Sequence, residues 1–181
     1  MPANKVFIAV SLDGYIADQN GSVEFLNLYP DPKDEDMGFH GFMQSVDALL
    51  MGRKTFETVL GFGVEWPYTK PVYVWTSTLR EIPAALEGKV RLVNGSISEI
   101  LEIIHSAGYV NLYIDGGQVI QSFLNDDLIG EMIITIVPVL IGAGIPLFGT
   151  VKVQRLFTCT ETKAFSNGLV QSRFLRKPTA R

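Results

Sequence analysis

Glycines at helix starts, more than acids or thiols, are what this chain offers for chemistry. In residues 113–124 (Tyr-Ile-Asp-Gly-Gly-Gln-Val-Ile-Gln-Ser-Phe-Leu) an apolar run ends at Gly116-Gly117. Val119, Ile120, Phe123 and Leu124 then recur at helical spacing. The two glycines let the backbone turn tightly and let a ligand approach without a Cβ in the way. The helix start adds free N–H groups and the positive end of a dipole, which suits a phosphate or pyrophosphate. Met51-Gly52-Arg53-Lys54-Thr55 repeats the pattern of apolar strand, glycine and helix start. Two cations oppose the helix dipole there unless an anion sits beside them. The same residues also make ordinary strand-to-helix turns, with Arg53 and Lys54 simply exposed. Together, the two turns suggest a dinucleotide lying across the carboxyl ends of the strands, with the Thr76 and Ser77 hydroxyls available to phosphate or ribose.

The remaining reactive groups are few. Cys159 is the one cysteine and lies in a strand-like segment, where a buried structural thiol is expected. His40 and His105 are too few for a histidine metal cluster, and no metal site is expected. Asp31, Asp34, Glu35 and Asp36 form an acidic cluster, read first as a solvated loop and helix start. The net charge of −4 leaves no nucleic-acid footprint. Residues 1–5 lack the apolar core of a signal peptide, and the apolar run at 133–145 is broken by Pro138, Gly142 and Gly144. A soluble, cytoplasmic protein is expected, with no membrane partner.

The elements that must position these residues alternate. Strands are expected at 5–11, 48–51, 71–76, 90–93, 110–114 and 131–140, and helices at about 36–46, after 52, from 97 and after 117. Ser96-Ile97-Ser98-Glu99 is a capping box opening the third helix. Residues 18–36, 61–70 and 141–149 read as loops, and 153–160 with 168–175 as a closing hairpin. The alternation predicts an α/β fold of three layers: a mixed, mostly parallel sheet, helices on both faces and an antiparallel C-terminal hairpin at its edge. A single domain over 1–181 is expected.

The residues 51–58 (Met-Gly-Arg-Lys-Thr-Phe-Glu-Thr) resemble the M-G-R-x-T-[FYW]-E segment of the dihydrofolate reductase superfamily. Residues 10–17 are similar to the S-L-D-G-x-I-A segment of its riboflavin-biosynthesis branch, the RibD C-terminal reductase domain, and residues 138–148 to that branch's P-x-L-x-G-x-G-x-P-L-F. The resemblance implies a dihydrofolate reductase-like fold, an NADPH-dependent hydride transfer to a small heterocycle, and a homodimer. The substrate it points to is a phosphoribosylaminopyrimidine such as 5-amino-6-(5-phosphoribosylamino)uracil.

It places Gly52, Arg53, Lys54 and Thr55 on the adenosine side and phosphates, and Thr76 and Ser77 near the 2′-phosphate. It places Gly116, Gly117 and Gln118, flanked by Asp115 and Val119, at the pyrophosphate, and Ala9 and Ile16 beside the nicotinamide. Asp115 stands where the superfamily pattern has glycine, and its carboxylate must point away from a pyrophosphate. Tyr15, Phe39 and Trp66 are candidates for a pocket holding a flat ring, although core packing also accounts for Phe39. Asp36, sixteen residues before Gly52, is the candidate catalytic carboxylate, with helix capping as its alternative role. No zinc deaminase signature accompanies the reductase motifs. A dihydrofolate reductase and a non-catalytic NADP(H)-binding protein are the alternatives.

Overall fold

Fourteen regular elements organise the chain in a computed structural model that describes residues 4–29 and 36–177. They are β1 (Asn4–Ser11), β2 (Tyr15–Ala17), α1 (Phe39–Gln44), β3 (Ala48–Gly52), α2 (Arg53–Gly61), β4 (Val72–Trp75), β5 (Val90–Val93), α3 (Ile97–Ser106), β6 (Leu112–Asp115), α4 (Gly117–Asn125), β7 (Ile129–Val137), β8 (Ile145–Pro146), β9 (Phe157–Ala164) and β10 (Val170–Arg176). Eight strands form one sheet in the order β5-β4-β3-β6-β1-β7-β10-β9. The six from β5 to β7 run parallel, and β10 and β9 close the edge antiparallel.

The run Leu49-Leu50-Met51 shows why the sheet needs cover on both sides. Successive side chains point to opposite faces. Leu50 packs with Val6, Ile114 and the apolar sides of α3 and α4, whereas Leu49 and Met51 pack with Phe42 of α1 and Phe56 of α2. All three are 0% exposed. The capping box forms as read: Glu99 N donates to Ser96 Oγ at 3.3 Å and Ser96 N to Glu99 Oε2 at 2.7 Å.

Several elements differ from the sequence reading. α1 is shorter than 36–46, because Met37 and Gly38 take positive φ values of 53° and 82° and hold the chain out of the helix. β7 starts and stops two to three residues earlier than 131–140. β9 begins at Phe157 rather than 153. The segment before it is tied to the end of α4, where Asn125 Oδ1 accepts from Lys152 N at 3.1 Å and Asn125 O from Arg155 Nη2 at 2.9 Å. Cys159 is exposed rather than buried, since β9 is the outermost strand and nearly all its residues face solvent. The short antiparallel pair β2–β8 forms a sheet of its own; β8 lies in a segment read as loop, and β2 follows the Asp13-Gly14 turn in a segment assigned no element. Asp31, Asp34, Glu35 and the tail after 177 lie outside the described residues.

Candidate functional site

β3 and β6 are parallel neighbours in the register Met51↔Asp115, so both strands end level and both feed a helix. Gly52 leads into α2 and Gly116 into α4, and neither helix start carries a side-chain cap. The first-turn N–H groups of both helices therefore keep their donor capacity for a ligand. Gly116 adopts φ 88°, and a Cβ there would drive into Thr55 Oγ1. A Cβ on Gly52 would meet Val119 Cγ2 at 3.3 Å. The two helix starts thus abut, with the glycines as their contact. This cradle, which any side chain would fill, fits the diphosphate of a dinucleotide.

On the β4 side, Arg53 Nε donates to Glu57 Oε1 at 2.6 Å and Nη1 to Thr78 Oγ1 at 2.8 Å. These bonds aim the guanidinium toward the end of β4. Thr76 is buried, and its hydroxyl accepts from Thr78 N and Leu79 N, so it shapes the turn that presents exposed Ser77 and Thr78. Lys54 is exposed on the first turn of α2. Val119 is 4% exposed and acts as a packing residue behind Gly52, while Gln118 stays exposed.

On the β1 side, a Cβ on Gly117 would come within 2.9 Å of Ile16 Cδ1 and 3.6 Å of Pro146 O. Ile16 of β2 and Ile145 and Pro146 of β8 therefore stand as a wall over the start of α4. Gln121 on α4 donates to Pro146 O at 2.9 Å, which joins this wall to the helix. Ala9 is partly buried on β1, and Tyr15 pairs with Pro146.

Asp115 ends β6 on the face covered by α1 and α2. Its Oδ1 accepts from Gly116 N at 2.8 Å, and burial pushes the carboxyl up to about 6 against that bond. Burial and the nearby Asp115 charge both raise the phenols of Tyr68 and Tyr113. Tyr113 Oη donates to Phe7 O at 2.8 Å. Trp66 stands edge-on to Tyr68 at 5.2 Å and to Phe56 at 5.7 Å. Trp66 Nε1 is, among the described residues, the buried side-chain polar atom without a hydrogen-bond partner. Phe39 packs edge-on to Phe7 at 5.4 Å, in the core position its spacing also allowed.

Asp36 is exposed, and its two oxygens accept from Gly38 N at 2.9 Å and His40 N at 2.8 Å, which holds its carboxyl below the usual range. That is capping geometry. Tyr68, missed in the sequence reading, sits two residues beyond Trp66 in a segment with no periodicity, and only the fold brings it to Asp115.

Residues 5–171 match the family described as the RibD C-terminal domain. The chain belongs to this family. A Shewanella sp. PV-4 protein, named as a candidate riboflavin biosynthesis protein, superposes with a TM-score of 0.92 at 45% identity, over 98% of this chain and 100% of that one. The uncharacterised protein YwjB of Bacillus subtilis (strain 168) is 33% identical over 174 residues, 94% of this chain and 96% of its own. The diaminohydroxyphosphoribosylaminopyrimidine deaminase/5-amino-6-(5-phosphoribosylamino)uracil reductase of Thermotoga maritima shares the fold, with a TM-score of 0.73 at 17% identity over 97% of this chain and 57% of that protein. The RibD-type fold, a dihydrofolate reductase-like sheet with a C-terminal hairpin, is thus shared across the family. Among the described residues no helix is long and apolar enough to cross a membrane.

Proposed function

We propose that this RibD C-terminal domain is an NADPH-dependent reductase of a small heterocycle, with Asp115 as its proton donor. The observation that carries the reading is the contact between two uncapped helix starts, Gly116 against Thr55 and Gly52 against Val119. The first turns of α2 and α4 would hold the diphosphate, and Arg53 with Ser77 and Thr78 the 2′-phosphate end. Arg53 suits a phosphate because its guanidinium is a fixed fork of donors. Ala9, Ile16 and the β8 wall would border the nicotinamide. A bound nicotinamide supplies the hydride.

The protein's own part is then orientation and one proton. Asp115, with a carboxyl at about 6, keeps a protonated fraction near neutrality and would give a proton to the nitrogen of the C=N bond whose carbon takes the hydride. Tyr68 and Tyr113 lie near enough to feel its charge, and the unpartnered Trp66 N–H would donate to an acceptor atom on the substrate. Tyr15 and Phe39 would complete the pocket. The phosphoribosylaminopyrimidine of the Thermotoga relative is the first substrate to screen. Asp36, engaged with two backbone amides, gives the dihydrofolate reading less support. A homodimer and a cytoplasmic location accompany this reading.

The test is a tryptophan-fluorescence titration with NADPH and NADH, using Trp66 and Trp75 as reporters. Preference for NADPH, lost in Arg53→Ala, is expected. NADPH oxidation is then followed with ribosylaminopyrimidines and with dihydrofolate. No binding of either nucleotide would overturn the reading, and binding without turnover of any heterocycle would leave a cofactor-binding protein.

A further inference from the structure

Asp13 lies outside the cradle, yet it joins the two segments that form the wall over Gly117. Ser11 is 1% exposed; its hydroxyl donates to Asp13 Oδ1 at 2.6 Å and accepts from Tyr15 N at 3.0 Å. From the other segment, Ile141 N donates to Asp13 Oδ1 at 3.3 Å and Gly142 N to Oδ2 at 2.7 Å. Two successive backbone N–H groups thus grip one carboxylate, an arrangement that favours negative charge. Leu12 N to Val139 O at 2.8 Å and Leu147 N to Gly14 O at 3.0 Å flank the joint. Gly144 lies so close to the carbonyl of Ala17 that a Cβ there would overlap it. The ladder pairs Tyr15↔Pro146 and Ala17↔Ile145 follow directly from this registration.

We propose that Asp13 is a positioning residue that sets Ile16, Ile145 and Pro146 against Gly117 and so fixes the place of the nicotinamide half of the dinucleotide. The proposal rests on the reductase reading above. Asp13 acts through β2 and β8, and Arg53, Ser77 and Thr78 on the far side of the cradle are untouched by it. Its loss therefore separates the two halves of the ligand.

The experiment titrates wild type, Asp13→Ala and Asp13→Asn with NADPH and with 2′,5′-ADP, which carries only the adenosine half. Asp13→Ala is expected to weaken NADPH about tenfold, the scale of one charge-assisted hydrogen bond, and to leave 2′,5′-ADP unchanged. Asp13→Asn, which keeps the size and one acceptor oxygen, falls between and carries the test if the alanine variant does not fold. Amide hydrogen exchange at Ile141 and Gly142 is expected to speed up in the variants. Equal losses for both ligands, unchanged NADPH affinity, or unchanged protection of those amides would overturn the proposal. A wild-type chain that binds neither ligand would instead overturn the reductase reading, and the positioning role with it.

Discussion

Asp115 carries a conflict between stability and chemistry in a single carboxyl. Its value is raised from 3.8 to about 6, so the fold favours the protonated form. The stabilising contribution is complete below pH 3.8 and is lost as pH rises through about 6. Above that, the ionised group costs about 3 kcal/mol, at 1.4 kcal/mol per unit. Asp115→Asn should therefore melt higher than wild type at pH 7.5 and close to it at pH 4. It should keep its NADPH affinity and lose turnover by about 10²-fold, the scale of one general acid. Thermal melts at the two pH values and steady-state rates check this; a melting gain with full activity would remove Asp115 from the chemistry. The wild-type kcat/KM should also fall as pH rises through about 6, because the acid is then ionised. Asp115 was visible in the sequence as a departure from the superfamily's glycine, but its surroundings were not. Tyr113 lies two residues before Asp115 on β6, whereas Tyr68, forty-five residues earlier in the chain, comes near Asp115 only through the fold.

At the level of elements, the glycine between β6 and α4 is constrained twice over, by its φ and by the Thr55 side chain. Gly116→Ala must hold a side chain at φ 88° and push Thr55 aside. Strain of this kind costs about 1–3 kcal/mol. Lower thermal stability and loss of NADPH binding are expected, and both are read in one fluorescence melt with and without ligand. By contrast, Ser96→Ala removes one cap from α3, costs about 1 kcal/mol, and should lower the midpoint by roughly 2–4 °C with NADPH affinity unchanged. Both helices were legible because their apolar spacing and their start signals, glycine in one and Ser-x-x-Glu in the other, agree. β2 and β8 were not legible. Strands of three and two residues have no period to read, and their pairing depends on bonds that cross from Asp13 to Gly142. β9 was displaced for a related reason: Val151 and Val153 mimic strand alternation, while Asn125 and the end of α4 hold that segment in a loop.

For the whole molecule, the sheet order explains both what the sequence foretold and what acid should do. A central parallel sheet with a closing hairpin followed from alternation alone, whereas the insertion of β6 between β3 and β1 is a matter of long-range packing. Asp13, Asp36, Asp47, Glu99 and Asp127 are all held below their ordinary values, chiefly by hydrogen bonds. Their contribution is present above the usual carboxylate range and is lost as pH falls below about 4. Asp115 works in the opposite sense between about 4 and 6. Urea midpoints measured from pH 3 to pH 8 should fall steeply below 4, and the Asp115→Asn difference should develop only between 4 and 6. A uniform difference across that range would contradict the assignment.

Because β6 is seated between β3 and β1, neither half of the chain owns the cradle. Residues 1–95 carry Gly52 and Thr55, and residues 96–181 carry Gly116 and Gly117. On the ribosome, the four main-sheet strands β1, β3, β4 and β5 emerge before β6, so the place between β3 and β1 can be filled only once residues 112–115 have been made. A chain severed at exposed Gly95 is thus a pair of mutually dependent fragments. Nucleotide, if it binds only the rejoined form, would draw them together, and the severed protein would serve as a two-piece reporter of that nucleotide.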